Sequence, residues 1–162
     1  MKIAYQFPPE TIVMFAAAII SILLAIIVLW RRVSPGGLPF ALLMFAIAEW
    51  LFFSVLEIGA VDMQTKILWA KVQYPGITTL TPFFLIFASE YSRHNKWLKP
   101  RNIALLFVIP AITIILIATN KLHGLIWSDI VPAAESGGQY LIYSHGSFFW
   151  LMSVYSYVLL MA

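Results

Sequence analysis

The chain has no cysteine, and charged side chains make up only 10% of its 162 residues. The first absence excludes disulfides, thiolate catalysis and cysteine metal centres. The second excludes an ordinary soluble domain, in which roughly a quarter of the residues are charged. Catalytic signatures are missing too: there is no glycine-rich phosphate loop, no GxSxG elbow and no HExxH helix. No enzyme activity, cofactor or metal is therefore read from the chain. The first apolar run is too long for a signal-peptide core, and no small-residue cleavage site follows it. Repeats and low-complexity tracts are absent. The net charge of +3 does not point to nucleic acid, because the basic residues gather in loops between apolar runs.

What is present is hydrophobic length. Apolar residues make up 62% of the chain and mean hydropathy is +0.90, which places it among integral membrane proteins. Five apolar segments, at about 11–30, 38–60, 67–91, 103–119 and 148–162, approach the ~20 residues that a spanning helix needs. The expected fold is an all-α bundle of about five transmembrane helices forming one domain over residues 1–162. The fifth segment is short and runs to the last residue, so we expect a piece of a longer protein or an ordered part that ends there. Arg31, Arg32, Arg93, Lys96, Lys99 and Arg101 lie in two connections, against Lys2, Lys66 and Lys121 on the other side. That bias places the N-terminus outside. Loops Val61–Lys66 and 120–147 are then external. The longer one holds two aromatic, β-prone runs, LIWSDIV and QYLIYSHG, around Glu135-Ser136-Gly137-Gly138, and reads as a short hairpin across the bundle mouth.

The third segment is unusual. Within LWAKVQYPGITTLTPFFLIFASEY it carries Lys71, Gln73, Pro75 and Pro82. A charge in a membrane helix costs at least ~2.5–3.5 kcal/mol and usually has a partner. Glu57 is near the outer end of the second segment, at the depth of Lys71 in the third, so the two are expected to pair. That pair is read either as a fixed strut or as a polar patch that meets a ligand. Glu49, near the bilayer midplane, has only Thr78 and Thr79 at its depth; it is read as a hydrogen-bonding strut or as a cavity wall. Pro75, Gly76 and Pro82 mark a static bend or a hinge. In the external segment Asn120, His123, Trp127, Asp129 and His145 are candidates for a polar, aromatic recognition surface; the histidine spacing resembles no metal motif. Trp127, Tyr140 and Trp150 also suit interfacial anchoring, as does Trp97 at the inner face. Ala16, Ala17, Ala18 and Ser21 offer the first helix a small-residue packing face.

The run LWAKVQYPGI with TPFFLIFASEYS, then Trp97 in the basic loop, FVIP, TNKLHGLIWSD and HGSFFWLMSVYSYVLL, with Glu57 in VLEIGA, resembles the N-terminal seven-helix membrane region of bacterial and archaeal sensor histidine kinases. Order and spacing match over roughly residues 10–160. The resemblance implies a multi-pass sensor input in a prokaryotic plasma membrane, working as a homodimer and followed by two more helices and a cytoplasmic transmitter: a PAS domain, a histidine kinase or a cyclic-dinucleotide enzyme. It implies no particular ligand. This sequence departs by stopping within the fifth helix, so phosphorylation is not assigned to it.

The leading reading is a sensory module of a two-component receptor. A small molecule or a membrane state acts in the outer half of the bundle, at Glu57, Lys71, Gln73, Tyr74, Asn120, His123 and Trp127, and helix movement relays it inward. The alternative is an accessory or structural subunit of a larger membrane complex, whose deletion dissolves an assembly instead of blunting a response. A transporter or channel component, with Glu49, Glu57 and Lys71 lining a path, fits less well without a repeat.

Overall fold

A computed structural model of the chain describes residues 4–31, 35–133 and 140–162. Among them, three helical runs are long and apolar enough to cross a membrane. The first is α1 (Glu10–Arg31), apolar around its whole circumference. It buries only Thr11, Ala18, Ser21 and Ala25, a stripe of small residues that lets its backbone approach α2 (Gly37–Gly59). Ala18 and Ser21 of the expected small-residue face are thus used within the chain, while Ala16 is exposed.

The expected third segment, 67–91, differs from the structure in two ways. Its helix starts earlier, at Met63, because the Asp62 side chain accepts from the Thr65 amide at 3.0 Å and caps the first turn. The connection read as Val61–Lys66 therefore shrinks, and Lys66 is helical. The rod is also divided: α3 (Met63–Val72) and α4 (Tyr74–Tyr91) meet at Gln73. Pro75 supplies no N–H to the turn before it. The helix continues through Pro82 without a second break.

A second proline divides the next rod. The helices α5 (Pro100–Leu106) and α6 (Val108–Ala118) meet at Phe107 and together form the third candidate span. Pro110 is fully buried and has no N–H for the Leu106 carbonyl. The Tyr155 hydroxyl of α7 (Ser147–Met161) donates to that carbonyl at 2.5 Å. Tyr155→Phe should leave the carbonyl unpaired and cost about 1–3 kcal/mol, read as an earlier midpoint in detergent-induced unfolding. An unchanged midpoint would mean that the carbonyl finds another donor. The α3–α4 rod and the 15-residue α7 complete five helical rods but fall outside the candidate spans.

Between α6 and α7 lies the expected hairpin. The strands β1 (Trp127–Pro132) and β2 (Leu141–His145) pair antiparallel, with Ile130 opposite Tyr143 and a bulge between Trp127 and Asp129. The expected turn at Glu135–Gly138 lies outside the described residues. The base of the hairpin joins the core: Ile126 and Trp127 pack with Ala70, Tyr74, Ile117 and Met152. At the same end, residues 4–7 form a strap over the α2–α3 connection. The Gln6 amide donates to the Gly59 carbonyl at 2.7 Å and the Val61 amide to Ala4 at 3.1 Å. The Trp69 indole donates to the Tyr5 hydroxyl at 3.0 Å.

Candidate functional site

The α2–α3 connection is short, so the last turns of α2 face the first turns of α3 and the break at Gln73. Ser54 and Glu57, three residues apart, share one face of α2. The Gln73 side chain bridges them: Ser54 Oγ donates to Gln73 Oε1 at 2.5 Å, and Gln73 Nε2 donates to Glu57 Oε2 at 2.6 Å. The other carboxylate oxygen, Glu57 Oε1, accepts from the Tyr143 hydroxyl of β2 at 2.5 Å. One side chain therefore ties the end of α2, the α3–α4 break and the hairpin.

An aromatic stack encloses the cluster. Trp127 is almost wholly buried between Tyr143, at 4.7 Å between ring centres, and Tyr74, at 5.5 Å edge-on. Burial first, and the Glu57 carboxylate second, push the Tyr143 phenol well above its ordinary range. Tyr143 therefore keeps its proton, and its donor role toward Glu57, throughout the physiological range.

The cation beside Glu57 is Lys66. It is 2% exposed, and its Nζ donates to the Glu57 and Ile58 carbonyls at 3.1 and 3.0 Å. It thus caps the C-terminal end of α2, where carbonyls lack partners and the helix dipole favours a positive charge. The expected Glu57–Lys71 pair does not form. Lys71 Nζ instead donates to the Ala118 carbonyl at 3.2 Å, doing for α6 what Lys66 does for α2. Lys66 and Lys71 leave α3 in different directions, one to the end of α2 and the other to the end of α6.

Glu49 lies deeper, against Gly76. A Cβ on Gly76 would collide with Glu49 Oε2, and that oxygen is buried with no partner among the described residues. Thr78 and Thr79 do not serve it, because their hydroxyls donate to the Tyr74 and Pro75 carbonyls of their own helix. The hinge candidates Pro75 and Gly76 lie in the first turn after the break, and Pro82 lies inside α4.

The external candidates separate by role. Asn120 is a scaffold: its Oδ1 accepts from the Ile126 and Trp127 amides at 3.0 and 3.1 Å, and its Nδ2 donates to the Trp127 carbonyl at 2.8 Å. It fixes Trp127 and leaves little capacity for a ligand. His123 is exposed and turned to local partners, with Thr119 Oγ1 3.1 Å from its Nε2 and the Leu125 amide donating to its Nδ1. Asp129 accepts from the Ile130 amide, and His145 stacks on Phe149. Among the described residues, no three metal-capable side chains come together.

Glu57, Gln73, Tyr74 and Trp127 are thus gathered at one place, Asn120 supports it, and Lys71, His123 and Glu49 stand apart. Ser54, Lys66 and Tyr143 belong to the cluster although sequence reasoning passed over them. The first could have been found from its spacing to Glu57, and the last as the one tyrosine in the middle of the second β-prone run. No curated protein and no solved structure matches the chain. A family model, the N-terminal 7TM region of histidine kinase, matches residues 13–162. That match spans nearly the whole bundle described above, and the chain belongs to the family of N-terminal seven-helix membrane regions of histidine kinases.

Proposed function

We propose that this sensor-family region detects its stimulus at the hairpin end, and that the Glu57 cluster is the element that responds. The carrying observation is that Glu57 accepts from the hairpin through Tyr143 and from the helix break through Gln73. A stimulus that lifts or presses the hairpin changes the first bond. The second then changes with it, at the point where the α3–α4 rod already lacks continuous hydrogen bonding. Rotation of α4 about that point reaches the opposite end of the bundle, where Glu90 Oε2 accepts from the Gly36 amide at the start of α2. In this reading the N-terminus and hairpin face outward and the basic connections face the cytoplasm of a prokaryotic cell. The 162 residues act as one membrane domain within a homodimeric kinase.

The magnitude suffices for a switch. A hydrogen bond to a charged acceptor contributes about 1.5–3 kcal/mol, and ~1.4 kcal/mol moves a two-state equilibrium tenfold. A stimulus acts only through a difference in affinity for the two arrangements. The test is autophosphorylation of a kinase carrying this region, in vesicles. Tyr143→Phe should shift basal output about tenfold or more by the same reckoning. His123→Ala, at the same end but outside the cluster, should leave output near the wild-type level. Wild-type output and response from Tyr143→Phe would exclude the cluster as the responding element. If deletion of the region instead dissolved a membrane complex without changing kinase output, the accessory-subunit reading would replace this one.

A further inference from the structure

Among the described residues, every acid but one accepts from a donor in the fold. Glu10 is served by Tyr140, Asp62 by Thr65, Glu57 by Gln73 and Tyr143, Glu90 by the Gly36 amide and Asp129 by the Ile130 amide. The exception is Glu49, in the middle of the candidate span α2, whose Oε2 is buried and finds no donor. That oxygen meets α4 at Gly76. A Cβ built there would collide with Oε2 and stand 2.5 Å from the Ala46 carbonyl oxygen. A carboxyl oxygen and a backbone carbonyl oxygen thus crowd one point on α4.

A buried carboxylate without a donor is among the costliest groups a fold can hold, and in practice such a group is kept neutral. No cation relieves this one. The rods packed on α2 are α1, α3 and α4. Between Glu10 and Arg31 at its two ends, α1 has no charged residue and no tyrosine. In α3, Lys66 and Lys71 are committed to carbonyls at the ends of α2 and α6. In α4, Tyr74 packs on Trp127, and Glu90 and Tyr91 lie at the far end. The described residues alone enclose Oε2, so a helix packed outside these rods cannot reach it.

We propose that Glu49 is a proton-binding site that reads acidity as the spacing between α2 and α4. In the close arrangement the carboxyl is the neutral acid. Its hydroxyl donates where the ionised group could only accept, and the Ala46 carbonyl is the acceptor beside it. Loss of the proton leaves a charge that needs water, and the Gly76 contact has no room for one, since even a Cβ does not fit. The helix α4 must then withdraw from α2. It turns about the break at Gln73, just before Gly76, where helix hydrogen bonding is already interrupted. The Glu49 side chain as a whole is only half-buried, which gives the proton a way in and out. Acid therefore favours the close arrangement and alkali the open one. The site stands on this contact and does not depend on the response assigned to the Glu57 cluster.

The test is infrared spectroscopy of the chain in nanodiscs, where a neutral carboxyl and a carboxylate absorb in separate bands. At neutral pH the wild type should show a neutral-carboxyl band that Glu49→Gln lacks and Glu10→Gln keeps. The band should fade as the medium is made alkaline. Over the same range, amide exchange at residues 76–80, corrected for the intrinsic pH dependence of exchange, should rise several-fold relative to α6. In Glu49→Gln, whose side-chain amide donates as the neutral acid does, it should stay flat. Glu49→Asp keeps an acid that is one methylene shorter. It should move the band without abolishing it, and it covers the case in which the glutamine variant does not fold. A wild type that shows only carboxylate at neutral pH overturns the proposal, and is the result expected if a cation from another helix holds Glu49 ionised. A band that fades with no change in exchange, or exchange that rises alike in wild type and Glu49→Gln, overturns it as well, because the proton would then not set the spacing.

Discussion

Gly76→Ala is expected to destabilise the bundle by about 3 kcal/mol or more, the upper end for forced overpacking. At an unconstrained helical position the same change stabilises by up to ~1 kcal/mol, because alanine is the better helix former. The sign therefore tests the packing. A Cβ on Gly76 would collide with Glu49 Oε2, stand 2.5 Å from the Ala46 carbonyl oxygen and stand 3.0 Å from the Trp50 amide nitrogen. Two of these three obstacles are α2 backbone, which cannot swing aside as a side chain can. Adding Glu49→Ala to Gly76→Ala should recover only part of the loss, because the Ala46 carbonyl remains. The measurement is the midpoint of detergent-induced unfolding of the wild type, both single variants and the double variant. Full recovery in the double variant would mean that the carboxylate alone sets the approach of α4 to α2. A stabilised Gly76→Ala would mean that the two helices stand farther apart than the structure places them.

That contact also shows which features were legible in the sequence. Composition and segment length gave the helical rods, since a residue's preference for hydrocarbon is summed over many positions. The prolines announced irregular helices, and breaks do occur at Gln73 and Phe107, each close to a proline. Two β-prone, aromatic runs on either side of a Gly-Gly pair point to the hairpin. What the sequence held back was azimuth. Glu57 and Lys71 were placed at similar depth because rise per residue is regular, and depth follows from counting. Which way a side chain points around its helix depends on rotation, and rotation is set by packing against neighbours. Lys66 and Lys71 differ by five residues, or about 140° around the axis at 3.6 residues per turn. One reaches the end of α2 and the other the end of α6. Asn120 was read as a ligand contact because an exposed loop asparagine and a backbone clamp look alike in sequence. Only the three bonds to Ile126 and Trp127 separate them.

Glu57→Leu should be the most damaging change at the cluster, costing about 3–5 kcal/mol, as removal of one partner of a buried charged network does. Leucine has a similar shape, so the loss is chemical. It leaves Gln73 Nε2 and the Tyr143 hydroxyl without their acceptor, and each unsatisfied buried donor costs roughly 1–3 kcal/mol. It also removes the carboxylate next to the Lys66 ammonium, which stays fixed on the α2 carbonyls. Glu57→Gln should cost less than half as much: its amide oxygen still accepts from Gln73, and its amino group donates to the Tyr143 oxygen. The order leucine worse than glutamine distinguishes a hydrogen-bonding network from a site held by charge alone, in which both would be equally harmful. A double-mutant cycle with Tyr143→Phe isolates the tie to the hairpin. A coupling energy above ~0.5 kcal/mol is expected for groups in one network. Amide exchange gives the location of the effect, with Ile130 and Tyr143 in the hairpin opening faster in Glu57→Leu while α1 amides keep their protection. If the cycle gives no coupling and exchange rises evenly through the bundle, Glu57 is a structural strut for α2 and α4, and the hairpin sits on the bundle without reading it.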